Sequence, residues 1–420
     1  MTTDYAAQAE QMARRARLAS RSVAVASTRQ KNEALAAIAD ALANQAAAIK
    51  AENARDLDAA AKAGLSAAMV DRLTLTDKRI ETMAAGLREI AAQDDPVGQV
   101  IEQSTRPNGL DLQRVRVPIG VIFIIFESRP NVTIDAAGLC LKSGNACILR
   151  GGKEAAFSNA ALYRAIRSGL VAAGLPETAV QLVEAADHAF VGAMLKLDRW
   201  IDLVIPRGGE RLIRAVVEQS TIPVIKHYKG VCHVYIDEFA DPAMAAEIAL
   251  NAKCQRPGVC NAMETLLVHQ AQAGRPLADL LKAMAARGVQ IRGCERTCAV
   301  FPDARPAAEA DWEAEYLDLI LAVRVVDNIE DAIEHIARYG SAHTDAIVTA
   351  DPRRAEEFVR RVDSSSVMVN ASTRFTDGGE YGLGAEVGIS TDKLHARGPM
   401  GIRDLTTYKY VVRGNGQVRT

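Results

Sequence analysis

The sequence predicts an α/β protein with two doubly wound α/β domains and an additional β-hairpin. Three observations lead to this prediction. A chain of 420 residues is too long for one ordinary hydrophobic core. From residue 118 onward, short apolar runs alternate with helical stretches, as in a parallel sheet with helices on both faces. Just before residue 118, apolar and polar residues alternate on both sides of a Pro-Asn-Gly turn.

The first part of the chain is predicted to be helical and to lead into this hairpin. Residues 5–95 are rich in alanine and have a helical periodicity that ends at the Asp-Asp-Pro sequence of residues 94–96. Residues 98–117 form the predicted hairpin. Because a two-stranded ribbon is only marginally stable alone, we expect it to pack against the C-terminal strand "TTYKYVVRG" or against another subunit.

Two regions then alternate strands with helices. The predicted strands up to residue 236 are "GVIFIIF", "ACILR", "AVQLV" and "IDLVIP", and those of residues 237–370 are "TLLVH", "LILAVRVV", "DAIVTA" and "SSVMVN". The helices predicted among them include "NVTIDAAGLCLKSGN" and residues 154–173, 210–219, 242–254 and 275–287. Ligands of such sheets bind at the carboxyl ends of the strands. The glycine-rich segment 377–401 is a predicted long loop, which at this length is usually functional or mobile.

The composition excludes several classes of function. Hydrophobic residues make up 49% of the chain and charged residues 24%, with a net charge of -2, which gives no electrostatic case for binding nucleic acid or a membrane surface. The N-terminus lacks an apolar signal region, and no run approaches the roughly 18 apolar residues of a membrane span. We therefore expect a cytoplasmic protein whose partners are small molecules and copies of itself.

The cysteines do not suggest a disulfide framework or a structural metal. They lie, without the paired close spacing of a zinc site, at positions 140, 147, 232, 254, 260, 294 and 298. Their number is odd, and a cytoplasmic compartment is reducing. We expect neither disulfides nor a metal, and we assign no function to Cys294 and Cys298.

One segment, "NAKCQRPGVCNAMETLLVH" of residues 251–269, could carry a reactive thiol. A helix is predicted to end near Cys254, Pro257 and Gly258 force a turn, and Cys260 follows as the chain enters a strand. A cysteine that emerges from a turn at a sheet edge is partly exposed, whereas one on the buried side of a helix is inert. Spacing alone leaves a second interpretation open, in which both are small core residues.

Two further features are typical of a site at strand ends. Asn131 follows the strand of "FIIFESRPN" and begins a helix, where its amide could serve only as an N-cap or could also donate to an oxyanion. The segments "LRGGKE" and "IPRGGERLIR" each follow a strand and open a helix, an arrangement that suits a phosphate-bearing cofactor. Neither glycine pair belongs to a GxGxxG fingerprint.

Taken together, these segments resemble the aldehyde dehydrogenase superfamily over nearly the whole chain. The resemblance is carried by "VPIGVIFIIFESRPNVTIDAAGLCLKSGNACILRGGKE" and by the cysteine that follows it. A sharper resemblance, to the branch that reduces gamma-glutamyl phosphate, lies in "VDNIEDAIEHIARYGSAHTDAI" with its spaced His335 and His343. "EYGLGAEVGISTDKLHARGPMG" is similar to a further segment of that branch.

The resemblance implies the roles of several residues. Cys260 corresponds to the nucleophile, Asn131 to the asparagine that holds the oxyanion, and Glu315 to the glutamate that positions the nicotinamide ribose. For the cofactor, NADPH or NADP+, the corresponding residues are Arg150 at the adenosine ribose, Lys153 at the 2′-phosphate, and Gly208 and Gly209 at the pyrophosphate.

The sequence also departs from the superfamily pattern at the position of the hydrolytic general base. There the segment "IKHYKGVCHV" has Lys226, His227, Tyr228 and Lys229 in place of a glutamate. A basic cluster without a carboxylate suits a phosphate leaving group, although a charged run is also typical of a solvated turn. The expected substrate-binding residues are Lys226, His227, Arg256, Arg374 and Arg397.

The resemblance implies NADPH-dependent reduction of L-glutamyl 5-phosphate to L-glutamate 5-semialdehyde and phosphate, the second step of proline biosynthesis, through a thioester. Alternatives are an acylating dehydrogenase that uses coenzyme A, a simple aldehyde oxidiser, or a non-catalytic scaffold. Association with glutamate 5-kinase is a further expectation, as is a homo-oligomer.

The resemblance also implies a domain division. Residues 1–97, 118–236 and 371–402 form the expected cofactor-binding domain, and residues 237–370 form the expected catalytic domain. The expected oligomerisation elements are residues 98–117 and 403–420.

Overall fold

The computed structural model describes residues 4–184 and 187–419. The chain divides into two compact units. The first unit contains the residues up to Lys226, Gly382–Gly388, and the residues from Met400 onward. The second unit contains His227–Tyr381 and Ile389–Pro399. Within the described residues, no helix has the length and apolar character needed to span a membrane.

The first unit begins with five helices, which confirms the predicted helical front end. They are α1 (Tyr5–Val23), α2 (Thr28–Asn44), α3 (Ala46–Lys62), α4 (Ala67–Leu73) and α5 (Asp77–Ala92). Four of them begin where a short polar side chain accepts a hydrogen bond from the first helical turn, with the N-caps Asp4, Ser27, Ser66 and Thr76. Alanine allows these helices to pack closely, and Ala9, Ala13 and Ala16 of α1 are fully buried.

A four-stranded parallel sheet forms the centre of the first unit. Its strands are β3 (Val121–Phe126), β4 (Ala146–Arg150), β5 (Val180–Leu182) and β6 (Leu203–Arg207), in the order β5-β4-β3-β6. The helices that follow these strands or link them are α6 (Asn131–Lys142), α7 (Ala156–Ala172), α8 (His188–Met194) and α9 (Glu210–Gln219). Every residue of β3 is buried, which explains why its sequence is continuously apolar.

The predicted hairpin is confirmed, and it pairs with the C-terminal strand as one of the two stated possibilities. Strand β1 (Val100–Thr105) and strand β2 (Asp111–Pro118) are antiparallel, and β2 also pairs with β16 (Thr406–Arg413). The turn places Gly109 at a φ of 82°, a conformation that favours glycine. The third strand supplies the support that an isolated ribbon lacks.

The second unit contains a seven-stranded sheet in which all pairs are parallel. Its strands are β7 (Cys232–Ile236), β8 (Met263–His269), β9 (Gln290–Gly293), β10 (Arg305–Pro306), β11 (Ile320–Val326), β12 (Thr344–Val348) and β13 (Ser366–Val369), in the order β10-β9-β11-β8-β7-β12-β13. The helices are α10 (Pro242–Cys254), α11 (Arg275–Ala285), α12 (Glu295–Val300), α13 (Glu309–Trp312), α14 (Ile329–Tyr339) and α15 (Pro352–Arg361). The short strands β14 (Ile389–Ser390) and β15 (Gly398–Pro399) form one antiparallel pair in the glycine-rich segment.

The boundaries of the two compact units differ from the domain boundaries that were expected from the sequence. Strand β7 precedes the expected boundary at residue 237, yet it pairs with β8 and β12 in the second unit. Residues 371–402 are shared between the units, because only 382–388 and 400–402 belong to the first. The sheet to which a strand belongs depends on its pairing partners, and these are distant in sequence.

Candidate active site

The segment that contains the two cysteines folds as the sequence predicts, because α10 ends at Cys254 and a turn leads through Cys260 into β8. Both cysteines are free and half-buried. For Cys254, removal from water raises the pKa of the thiol, and the nearby Arg287 acts in the opposite direction. Cys254 is therefore more exposed than expected for an inert thiol on a buried helix face, but its environment still favours the protonated form.

The backbone of Cys260 is fixed by two residues of the preceding chain. A Cβ added at Gly230 would lie 2.7 Å from the Cα of Cys260, and it would overlap the Cys260 carbonyl group. The buried thiol of Cys232 donates to that carbonyl oxygen at 3.2 Å. Burial raises the pKa of Cys232 well above its ordinary value, so that it remains a thiol and can donate. These contacts hold the turn at Cys260 in one position.

If Cys260 is the nucleophile that the resemblance implies, Gly230→Ala will lower kcat by about a hundredfold, because the added methyl group displaces the Cys260 backbone, and misplacement of a reacting group by about 1 Å has an effect of that size. Steady-state kinetics on the purified variant measure the loss. Gly86→Ala is the matched control, since nothing lies within 4 Å of a Cβ at Gly86. Unchanged activity in Gly230→Ala would contradict the close packing.

Glu315 lies near the same residues, on the loop after α13. Its Oε1 accepts a hydrogen bond from the Gly230 backbone N–H at 2.8 Å. Two residues later, Leu317 has a φ of 53°, and its N–H donates to Glu264 Oε1 at 3.2 Å. A leucine in this left-handed region costs on the order of 1 kcal/mol or more. The structure therefore holds the loop at Glu315 in an unfavourable conformation through a buried carboxylate.

Two histidines lie beside the thiol. Among the described residues, ligating atoms of His227, Cys260 and His343 all lie within 4.8 Å of one another. The rings of the two histidines meet edge to face, with centroids 5.5 Å apart. Ala342, which precedes His343, has a φ of 56°, a second left-handed residue next to this cluster. No set of metal ligands was expected from the sequence. This group was missed because His227, Cys260 and His343 lie in three segments that are far apart in the sequence.

The two histidines of the "EHIARYGSAHTD" signature have different surroundings. Whereas His343 lies at the thiol, His335 is on α14 and packs against Trp312 and His233. Burial, and then the neighbouring positive groups, keep the pKa of His335 well below its ordinary value. His233 in turn contacts Asp345 Oδ1 through Nδ1 at 2.8 Å. These buried residues support the sheet.

Arg374, in the short 3-10 helix Thr373–Phe375, brings positive charge near the thiol. This half-buried side chain hydrogen-bonds to Asn261 and donates to Gln255 at 2.8 Å, so it lies against the turn that carries Cys260. Burial and then the charge of Arg256 lower the pKa of Arg374, whereas negative charge at Asp377 and Cys260 raises it. Arg374 and the exposed Arg256 therefore bring positive charge near the thiol.

The other expected substrate-binding residues differ in their surroundings. Lys226 and His227 are half-buried in a segment with no helix or strand, so they do not form a fully solvated turn. Arg397 donates to the carboxylate of Asp363 at 2.7 Å and to its carbonyl oxygen at 2.8 Å. Lys393 also contacts that carboxylate. The guanidinium of Arg397 is thus engaged within its own unit.

In the first unit, Asn131 is not an N-cap. Pro130 already has helical angles and is the N-cap of α6, so Asn131 is the first helical residue. Its exposed amide donates to Asp135 Oδ2 at 2.9 Å, one turn further along the helix. Burial raises the pKa of Asp135 to about 6, against the effect of that hydrogen bond. The amide at this strand end is therefore oriented by a neighbouring carboxyl group.

The two glycine loops lie where the predicted strands end. Arg150 is the last residue of β4 and is half-buried, and Lys153 follows it exposed. At the other loop, Gly209 is the N-cap of α9, and its N–H donates to Glu127 Oε2 at 2.9 Å. A Cβ at Gly208 would lie 2.7 Å from the carboxyl carbon of Glu127. The N–H group at the start of α9 therefore already donates to an anionic group, the carboxylate of Glu127.

Sequence reasoning missed the residues that hold the site together. It did not single out Gly230, Cys232, Glu127 or Asp135. The "KGVC" sequence gives one usable signal, since a glycine next to a predicted strand often marks a close approach of another backbone. The carboxylates give none, because their partners are far away along the chain.

Known proteins are similar to this chain over most of its length. The model of the aldehyde dehydrogenase family matches residues 1–300. The gamma-glutamyl phosphate reductase of Moorella thermoacetica is 58% identical over 99% of this chain and 100% of its own length. The crystal structure of the reductase of that name from Thermotoga maritima is 46% identical, covers 98% of this chain and 100% of its own, and has a TM-score of 0.96.

A more distant structure shares the fold. An engineered glycolyl-CoA reductase with bound NADP+ is 16% identical and covers 96% of both chains, with a TM-score of 0.69. Its likeness supports the α/β architecture alone.

Proposed function

Because the chain belongs to the aldehyde dehydrogenase family, as a member of its gamma-glutamyl phosphate reductase branch, we propose that it reduces L-glutamyl 5-phosphate with NADPH through a thioester on Cys260. The chain is an oxidoreductase of proline biosynthesis. The products are L-glutamate 5-semialdehyde and phosphate. The observation that carries the proposal is the half-buried thiol of Cys260, with its backbone fixed by Gly230 and with Arg374 beside it.

In the first step the Cys260 thiolate attacks the γ-acyl carbon, and phosphate leaves with the bonding electrons of the carbon–oxygen bond. Arg374 and Arg256 would attract the anionic substrate by their positive charge. The amide of Asn131 and the backbone N–H of Cys260 stabilise the oxyanion of the intermediate. Arg397 has no role in this proposal, because Asp363 already binds its guanidinium.

The cofactor site combines positive side chains with a helix N-terminus. Arg150 and Lys153 would bind the adenosine ribose and its 2′-phosphate, and Gly208 and Gly209 would bind the pyrophosphate at the start of α9. Glu315 would hold the nicotinamide ribose. When bound, NADPH supplies the hydride that reduces the thioester to the aldehyde and restores the Cys260 thiolate.

The basic segment of Lys226 and His227 is where the leaving phosphate would be held. It has no carboxylate at the position of the superfamily's general base, so water is not activated to hydrolyse the thioester. The acyl group is then passed between the thiol and phosphate, which makes the reaction reversible.

Phosphate dependence of the reverse reaction tests the proposal. With glutamate 5-semialdehyde and NADP+, we expect NADPH to form only when inorganic phosphate is present, because phosphate must release the acyl group. Absorbance of NADPH is the measurement, and coenzyme A in place of phosphate is the control. Equal rates without phosphate would mean that water releases the acyl group, and a rate restored by coenzyme A would indicate an acyl-CoA reductase.

The 2′-phosphate contact has a separate test. Because Lys153 is exposed and is proposed to meet only that group, Lys153→Ala should raise the KM for NADPH by about tenfold and leave the KM for NADH unchanged. The matched control is Lys62→Ala, at an exposed lysine in the last turn of α3. Equal changes for both cofactors would assign the 2′-phosphate to other residues.

Assembly completes the proposal. Strands β1 and β16 are the edges of a three-stranded sheet whose exposed apolar residues include Val100, Ile101, Tyr408, Tyr410 and Val412. Such an edge is a template for pairing with another chain, which supports a homo-oligomer. Association with glutamate 5-kinase would shorten the path of the unstable acyl phosphate. Light scattering after size-exclusion chromatography measures the number of subunits in the homo-oligomer. Co-purification tests the association with the kinase.

A further inference from the structure

We propose that His227, Cys260 and His343 form a binding site for a thiophilic divalent cation, with Zn²⁺ the best fit, and that the bound cation blocks the thiol. The site was not expected from the sequence, in which these residues lie far apart. Binding depends only on the geometry of the three side chains. The inhibition it causes rests on the proposed function of Cys260.

The distances allow a cation to be bound after a small adjustment. One ring nitrogen of each histidine and the sulfur of Cys260 lie within 4.8 Å of one another. Zn²⁺ binds imidazole nitrogen at about 2.0–2.1 Å and thiolate sulfur at about 2.3 Å, so tetrahedral ligands are about 3.3–3.7 Å apart. Closure by about 1 Å is within the reach of side-chain rotation. His227 and Cys260 are half-buried on segments without regular structure, whereas His343 is fully buried and provides a fixed position.

The hydrogen bond of His227 leaves a nitrogen available for the cation. Its Nδ1 lies 2.8 Å from the carbonyl oxygen of Ile389, which can only accept. Nδ1 therefore carries the proton, and the Nε2 of the neutral ring has a lone pair. A metal-binding histidine usually donates its other ring N–H in this way, and the hydrogen bond fixes the orientation of the ring.

His343 is arranged in the same way by a chain of hydroxyl groups. Its Nδ1 lies 2.9 Å from Thr344 Oγ1, and the Thr344 hydroxyl donates to Thr376 Oγ1 at 3.0 Å. Because the Thr344 hydrogen is directed to Thr376, its oxygen accepts from the Nδ1–H of His343. The lone pair of His343 is therefore also on Nε2. Both imidazoles have the tautomer that a metal ion bound through Nε2 requires.

The ligand set selects the type of cation. One thiolate and two imidazoles suit Zn²⁺ and other transition-metal ions, whereas Mg²⁺ and Ca²⁺ bind oxygen ligands. Three protein ligands leave a fourth position for water. The positive charge of Arg374 opposes a cation at Cys260, so we expect weaker binding than in closed structural zinc sites. The result is a reversible inhibitory site, in which the thiolate electron pair is bound to the metal and is no longer available for attack.

Cobalt spectroscopy tests the site without measuring activity. When Co²⁺ is added to the chelator-treated full-length enzyme, we expect a thiolate-to-cobalt charge-transfer band and the intense visible bands of a tetrahedral ion. Zn²⁺ should remove both by displacement. Cys260→Ser should abolish the charge-transfer band, whereas Cys254→Ser, which alters a half-buried thiol six positions away, should retain it. A band that survives in Cys260→Ser, or no band in the wild type, would overturn the proposal.

The histidines are tested by affinity. His227→Asn, at a half-buried position, should weaken Zn²⁺ binding at least about tenfold in competition with a chromophoric chelator, as should His343→Asn. If His343→Asn fails to fold, His227→Asn alone decides, and unchanged affinity in that variant would overturn the three-ligand site.

Inhibition is measured separately. Zn²⁺ but not Mg²⁺ should inhibit the phosphate-dependent reaction, and EDTA should reverse the effect. A cobalt spectrum that depends on Cys260 together with an uninhibited reaction would overturn the inhibitory role. Absence of the spectrum would overturn the metal site and leave the phosphate test of the proposed function unaffected.

Discussion

Cys260→Ala will lower the phosphate-dependent reduction of NADP+ by about ten-thousandfold or more. Loss of the nucleophile removes the covalent route, and removal of a group that acts as part of a catalytic unit has effects of this size. The measurement is NADPH absorbance with glutamate 5-semialdehyde and phosphate. We also expect the affinity for NADP+ to be retained, because the residues proposed for its adenosine and pyrophosphate groups are in the first unit.

The matched control is Cys254→Ala. Cys254 is a second half-buried thiol of the same segment, and it has no role in the proposed reaction. Near-normal activity in this variant, together with loss in Cys260→Ala, assigns the nucleophile. Activity that survives in Cys260→Ala and disappears in Cys254→Ala would assign it to the other cysteine.

Lys253→Met will destabilise the second unit by about 3–5 kcal/mol. Lys253 Nζ and Glu264 Oε2 are 2.7 Å apart, and both side chains are fully buried. Removal of the ammonium leaves a buried carboxylate that still accepts a hydrogen bond from the Leu317 N–H. A loss of this size lowers the unfolding temperature of a unit of this size by about 6–20 °C, which calorimetry measures.

Two comparisons identify the cause of this destabilisation. Lys253→Met combined with Glu264→Gln should recover most of the loss, because the amide removes the unpaired charge and still accepts from Leu317. Arg275→Met breaks an exposed ion pair with Asp279 in the same unit, and it should change stability by no more than about 0.5 kcal/mol. If Lys253→Met and Arg275→Met lost the same stability, burial of the ion pair would not be the cause of the destabilisation.

The pH dependence of the Lys253→Met deficit follows from Glu264. Burial raises the pKa of this carboxyl to about 7, and Lys253 acts in the opposite direction. Without Lys253, the folded-state pKa lies further above the unfolded value of about 4.3. A group whose pKa is raised on folding favours the folded state at low pH. The deficit relative to the wild type should therefore shrink as the pH falls from about 8 to about 5.

The sequence by itself determined many elements of this protein and the segment that carries the thiol, although β7 and β9 were not among the predicted strands. Continuous apolar runs marked β3 and β4, and helical periodicity with turn residues marked α9 and α10 almost to the residue. Such patterns are local, since each residue's backbone preference and its period of burial are set by near neighbours in the chain. The turn before Cys260 was predictable for the same reason.

Only the tertiary structure decided which residues meet. Gly230 packs against the backbone of Cys260, and His227 and His343 lie beside the thiol. Strand β7 pairs with β12 of the second sheet and not with a strand of the first. The tertiary structure also showed that Asn131 is oriented by Asp135 instead of capping α6. These contacts depend on strand order and on the burial of charged groups by distant segments, neither of which leaves a periodic signal in the sequence. The residues around the Cys260 thiol therefore come together only when distant segments pack. Each segment can be predicted from the sequence, but the contacts between the segments cannot.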